Sequence, residues 1–244
     1  MCGRYRLTAK ECYLRDHFGL DGEVSWQPRW NIAPRQQVPV VRQDRKEPKR
    51  TFALLRWGLL PFWAKDASIG FKTINAMLET AADKPAFRDA MRQRRCLIPA
   101  DGFYEWRKAG TKEKQPHSFA MIDDSTFAFA GLWERWRNPA GEFIETCTIL
   151  TTKPNSLVSD VHDRMPVIVS PDDYELWLDP GFADVAALAD CLQPFDPRLM
   201  KKYPVSTPST APTMMTKNVR ERSQSQAPIR RCSESDSRTR LRRK

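Results

Sequence analysis

The strongest constraint on folding is a break in composition after Ser206. Residues 207–244 contain no Phe, Trp or Tyr, 14 Ser, Thr or Pro residues, and clustered arginines. A segment like this cannot bury enough apolar surface to offset its chain entropy. The tail 207–244 is therefore expected to be disordered, and the fold must be completed within residues 1–206. The same break divides the charge. The tail holds 10 Lys+Arg and 3 Asp+Glu, a net of +7, leaving +3 of the formal +10 for residues 1–206. A strongly basic total thus says little about the folded part, and nucleic-acid binding there has to rest on local patches.

Residues 1–206 suffice for one domain, and 8 Trp and 12 Phe in a chain 41% apolar supply a core. Short β-like runs fall at 38–42, 51–57, 95–99, 103–107, 117–122, 127–133 and 143–151, separated by turn residues. Thr8-Ala9-Lys10-Glu11 reads as a capping box opening a helix to about Phe18, before Gly19. A helix is expected over 79–92. Ser170-Pro171-Asp172-Asp173 reads as a helix start leading into 174–178, with a further helix over 183–192. The pattern predicts a single α+β domain, with a largely antiparallel, barrel-like sheet core and peripheral helices. No apolar stretch is long enough to span a membrane, and Met-Cys-Gly-Arg-Tyr-Arg is not a secretion signal. The six cysteines show no C-x-x-C pair, which argues against a metal site or disulfide framework and for reduced thiols in the cytoplasm.

Five places carry residues suited to chemistry. Cys2 is small enough to allow Met1 removal, which would give it an α-amine of pKa about 7.7–8.0 beside a thiol of about 8.5. Such a residue condenses with an aldehyde to an imine, and the thiol then closes a thiazolidine ring intramolecularly. The plain alternative is an ordinary second residue in a frayed terminus. In Trp57-Gly58-Leu59-Leu60-Pro61-Phe62-Trp63, the aromatics either stack on bases or form a buried corner. Asn75, just ahead of the 79–92 helix, either holds a substrate oxygen or caps that helix.

Glu105, between Tyr104 and Trp106, is either desolvated with a raised pKa suited to proton transfer or faces solvent. Strand alternation places it on the same face as Phe103. His162, followed by Asp163 and Arg164, is the histidine best placed for acid–base work near neutral pH. His17 and His117 read as structural.

As a set, in this order, these motifs resemble the SRAP family, the SOS response-associated peptidases or abasic-site processing proteins. The motifs are Met-Cys-Gly-Arg, Trp30-Asn31-Ile32-Ala33-Pro34, Trp57-Gly58 with Pro61, Asn75-Ala76 with Glu79-Thr80, and Cys96 with Ala100-Asp101-Gly102-Phe103-Tyr104-Glu105-Trp106. The last is His162-Asp163-Arg164-Met165-Pro166. The resemblance covers about residues 2–206. It implies that Cys2, exposed by autoproteolytic loss of Met1, links covalently to the aldehyde of abasic sites in single-stranded DNA. It further implies that Asn75 holds the sugar and the terminal Cys, Glu105 assists imine and ring formation and Met1 removal, and His162 transfers protons at the ring-opened sugar. Arg4 and Arg164 would contact phosphates, and Trp63 would stack on or wedge against bases. The expected protein is a cofactor-free, self-cleaving hydrolase with lyase-type crosslinking chemistry, a cytoplasmic monomer that joins the nucleoid on binding DNA. The alternatives are a thiol peptidase acting on other proteins through Cys2, His162 and Glu105, and a non-catalytic binder held to nucleic acid by its basic tail.

Two departures stand out. Members of the family often carry Arg where this chain has Met77, so one phosphate contact is missing and weaker, less salt-sensitive DNA binding is expected. After Tyr203-Pro204-Val205-Ser206 the family usually continues through an Asn-rich stretch into an apolar segment, which this chain lacks. Met214-Met215-Thr216 and Lys217-Asn218-Val219, read one base earlier, allow an Asn-Asp-Asp-Glu-Glu-Cys continuation. The tail is thus expected to be a frameshift product, with the slip near residues 206–209.

Overall fold

The β-branched and aromatic runs between residues 37 and 152 pair chiefly with one another, and the pairing closes on itself. In a computed structural model, residues 2–44, 49–108, 114–182, 184 and 186–206 are described. The strands are β1 (Tyr5–Leu7), β2 (Arg29–Ile32), β3 (Gln37–Gln43), β4 (Arg50–Trp57), β5 (Asn75–Met77), β6 (Arg95–Ala100) and β7 (Gly102–Lys108). They continue with β8 (Lys114–Met121), β9 (Phe127–Arg137), β10 (Phe143–Thr152), β11 (Met165–Pro166), β12 (Ile168–Val169) and β13 (Met200–Pro204). The helices are short: α1 (Glu11–Phe18), α2 (Leu78–Ala81), α3 (Arg88–Gln93) and α4 (Tyr174–Leu178).

β10, β4, β3, β6 and β9 form a closed barrel, because β10 pairs in parallel with β4 and antiparallel with β9. Closure leaves these strands no free edge. A second sheet, ordered β13-β8-β7-β1-β2, packs on the barrel. Its contact is aromatic: the Tyr5 ring meets Trp57 edge-on at 5.5 Å and Phe129 at 5.7 Å, and Phe103 meets Phe129 edge-on at 6.1 Å. β6 is buried at all six positions, with α4 laid against it. Trp177 Nε1 donates to Cys96 O at 2.8 Å, and the buried Arg95 guanidinium donates to the carbonyls of Met91, Arg92, Trp177, Asp179 and Phe182.

The largely antiparallel, barrel-like core surrounded by helices agrees with the sequence reading, though strands dominate. Four local expectations change. Thr8 does not cap α1, which starts three residues later. The Thr8 N–H and Oγ1 and the Ala9 N–H all donate to the Asp101 carboxylate, which ties the segment before the helix to the β6–β7 turn, and no side chain caps α1; Gly19 ends the helix at φ 61° as expected. The single helix over 79–92 is two pieces, since Pro85 removes a backbone donor and turns the preceding residue from helical geometry. Ser170 makes no side-chain cap, and a 3-10 turn at Pro171–Asp173 leads into α4. Among the described residues of 183–192 there are 3-10 turns at Ala186–Leu188 and Asp190–Leu192 in place of a helix. The tail 207–244 and its frameshift reading lie outside the described residues.

Among the described residues no helix is long and apolar enough to cross a membrane, and no group of His, Cys, Asp and Glu could hold a metal ion. Cys2, Cys96, Cys147 and Cys191 are free thiols.

Candidate active site

β1 brings Cys2 to the site. β1 pairs antiparallel with β7, Tyr5 opposite Phe103, and the Tyr104 N–H donates to Arg4 O at 3.0 Å. That register runs residues 2–4 alongside Glu105. Cys2 is fully buried, which excludes the frayed-terminus reading. Burial, and then the nearby Glu105 carboxylate, push its thiol well above the ordinary thiol range. The thiol is therefore protonated at neutral pH, unlike the partly ionised group expected from sequence.

Asn75 does not cap a helix; it opens β5. β5 lies parallel to β10, with Asn75 opposite Ile149 and Met77 opposite Thr151. This fixes the amide so that Nδ2 donates to the Cys2 carbonyl at 2.8 Å. Its Oδ1 is buried without a hydrogen-bond partner among the described residues, an acceptor available to a ligand donor.

Glu105 is 3% exposed, so it does not face solvent. Desolvation raises its carboxyl from 4.5 to about 7. Its Oε2 lies 3.9 Å from His162 Nε2. His162 sits on a loop shaped by Asn155, whose Oδ1 accepts from the Leu157 and Val158 N–H groups and whose Nδ2 donates to Phe195 O. The Arg164 backbone N–H donates to His162 Nδ1 at 3.0 Å. In the neutral ring this leaves the proton on Nε2, facing Glu105. Asp163 Oδ1 lies 2.9 Å from the same Nδ1 but is 88% exposed and can turn into solvent.

The residues expected to hold DNA are arranged less simply. Arg164 is held in a bidentate pair by Glu79, both bonds 2.8 Å, and also donates to Thr151 O. A phosphate would therefore have to share or displace Glu79. The sequence reading gave Glu79 no role, because nothing local links residues 79 and 164; the meeting of β10 with β5 and β11 joins them. Arg4 Nη1 donates to Gly3 O at 2.8 Å, and partial burial lowers its pKa. Trp63 is exposed, its Nε1 near Pro85 O at 3.4 Å, whereas Trp57 is fully buried; the aromatic segment thus divides between the two readings. Met77 is exposed beside the site. His17 stacks within an aromatic group with Tyr13, Phe18 and Tyr174, and His117 lies on β8 near Gln115 O at 3.3 Å.

The structure thus gathers Cys2, Asn75, Glu105 and His162 where the barrel meets the second sheet, with Arg4 and Arg164 nearby and Trp63 at the surface. Together they set a buried thiol against an amide, a carboxyl raised into the neutral range and an imidazole. The chain belongs to the SRAP (SOS response associated peptidase) family, whose model matches residues 1–210. It is 42% identical over 215 residues to the abasic site processing protein YoqW of Bacillus subtilis, covering 87% of this chain and 95% of that one. It is 30% identical over 250 residues to the abasic site processing protein HMCES of Xenopus tropicalis, covering 85% and 74%. A crystal structure of a Bacteroides thetaiotaomicron protein superposes with TM-score 0.78 at 28% identity, over 87% of this chain and 97% of that one.

Proposed function

We propose that this protein captures abasic sites in single-stranded DNA by a covalent bond to Cys2. The carrying observation is the Cys2–Asn75–Glu105–His162 cluster, and the relatives named as abasic site processing proteins support the abasic-site part of the reading. Hydrolysis of the Met1–Cys2 bond, consuming one water, frees the Cys2 amine. The amine adds to the aldehyde carbon of the ring-opened sugar, and the carbinolamine loses water to give an imine. Glu105, half protonated near pH 7, donates the proton to the departing hydroxyl. The Cys2 sulfur then bonds to the imine carbon, its proton passing through the Glu105 carboxylate to the nitrogen, and a thiazolidine results. Because the thiol is held protonated, the amine attacks first and Glu105 acts as base only in the second step. Asn75 fixes the Cys2 backbone, and His162 serves proton transfer at the sugar hydroxyls. Arg4 and Arg164 hold the flanking phosphates, and Trp63 contacts a base. The protein works as a cofactor-free cytoplasmic monomer.

Mass spectrometry after mixing with a single-stranded abasic oligonucleotide tests this. The expected product is the chain lacking Met1, plus the oligonucleotide, less one water. An undiminished adduct in Cys2→Ala refutes the assignment. Cleavage of an unrelated peptide without any adduct favours the thiol-peptidase reading.

A further inference from the structure

Phe62, Trp63, Phe71 and Met77 are all exposed large apolar side chains on one stretch of chain, Phe71 reaching 59%. Clustered exposure of this kind marks an interaction site more often than a scatter of single residues. The backbone beneath is tightly built. Gly58, at φ 124°, lies so close that a Cβ there would sit 2.6 Å from Gly70 O. Thr73 Oγ1 donates to Leu59 O at 2.6 Å and lies 3.0 Å from Ile69 O. Asp66 caps the turn Ala67–Phe71 by accepting from the Ser68 N–H at 2.7 Å. Phe71 is thereby presented to solvent from a rigid base.

Arg35 faces it. Arg35 is exposed and adopts φ 72°, a left-handed conformation uncommon for a residue with a side chain. Its N–H is anchored to Trp57 O at 2.8 Å, and its guanidinium lies 4.6 Å from the centre of the Phe71 ring. The chemistry at Cys2 uses neither residue.

We infer that Phe71 and Arg35 form a second stacking subsite, which takes an unpaired base and its phosphate from the strand whose abasic residue enters at Cys2. This rests on the proposed function. With the guanidinium over one face of the ring, a base stacks on the outer face of this exposed pair while the guanidinium reaches the adjoining phosphate. Lys65 and Lys72, both exposed, flank the patch, so a polyanion is favoured, whereas a second copy of the same face would bring cation against cation. Phe71 precedes Asn75 by four residues, a backbone reach of at most about 14 Å. Stacked single-stranded DNA covers that in about four nucleotides at roughly 3.4 Å each. The bound base therefore lies within about four nucleotides of the abasic site.

The test uses the full chain and single-stranded oligonucleotides carrying a tetrahydrofuran abasic analogue, which cannot crosslink. A fluorescent 2-aminopurine is placed at each of the four positions on either side. The wild-type protein should alter its fluorescence at one or two positions, and Phe71→Ala should abolish that change and weaken binding about fivefold or more. Phe71→Trp should retain both, which separates stacking from misfolding. Arg35→Gln should lower the salt slope by about 0.7. Phe143→Ala serves as control: Phe143 is exposed beneath Arg135 at 3.9 Å, at the opposite end of β10, and its loss should change nothing. Unchanged affinity in Phe71→Ala, or equal weakening in Phe143→Ala, overturns the subsite. Wild-type self-association that Phe71→Ala abolishes would instead make the patch an interface between copies and overturn it too. Adduct formation on Cys2 is scored separately: its absence from the wild type defeats the parent reading, whereas equally fast adduct formation by wild type and Phe71→Ala at limiting DNA defeats this one.

Discussion

Replacing Glu105 by Gln should stabilise the protein, and by an amount that depends on pH. Burial raises the Glu105 carboxyl from 4.5 to about 7. Between those values the native state keeps a proton that the unfolded chain has lost, so wild-type stability falls as pH rises through this window. At about 1.36 kcal/mol per unit, the full displacement amounts to roughly 3 kcal/mol above pH 7. Glutamine has no proton to lose and fills nearly the same volume. Subtracting wild type from Glu105→Gln cancels the other titrating groups. The variant should show little advantage near pH 4.5, about 1 kcal/mol at pH 5, and approach 3 kcal/mol at pH 8. For a domain of this size that corresponds to roughly 6–12 °C in Tm at pH 8. Thermal melts of both proteins at pH 5 and pH 8 would measure it, with adduct formation lost in the variant at both. A pH-independent difference, or a less stable variant at pH 8, would refute the reasoning. It would mean that Glu105 is ionised at rest, its charge matched by His162 at 3.9 Å.

Asn75→Ala should slow adduct formation about ten- to a hundredfold in single-turnover kinetics, since it frees the Cys2 carbonyl and leaves it unpaired. Met77→Arg should steepen the salt dependence of single-stranded DNA binding by about 0.7, read by titration against salt, because position 77 is exposed beside the site. Arg95→Met should cost about 3 kcal/mol or more in urea denaturation, as several buried carbonyls lose their donor at once.

The strands and the site residues were legible to different degrees and for different reasons. Runs such as 51–57 and 127–133 carry their own periodicity, so β4 and β9 could be placed to within a few residues. Barrel closure could not, because β4 and β10 meet in parallel across some ninety residues of chain, and no local pattern announces such a partner. Asn75 shows the same limit. Its neighbourhood reads as a helix start, yet pairing with β10 draws it into a strand and turns its amide to Cys2. The order of Cys2, Asn75, Glu105 and His162 was visible only through the family's motifs. The protonation of the Cys2 thiol was not visible at all, since it arises from burial that only the assembled sheets create. Thr8 misled because its hydroxyl and N–H are taken by Asp101, a remote carboxylate, so it cannot serve the helix that follows.

The position of β1 carries a consequence for timing. β1 lies between β2 and β7, so its seat does not exist until residue 108 has been made. The amide that grips Cys2 arrives at residue 75, the carboxyl beside it at 105 and the imidazole at 162. During synthesis Cys2 therefore emerges first and waits, open to solvent, until the rest of the chain encloses it. The chemistry proposed for Cys2 is thus withheld until folding is complete, because a half-made chain carries the thiol without the amide, carboxyl and imidazole that surround it.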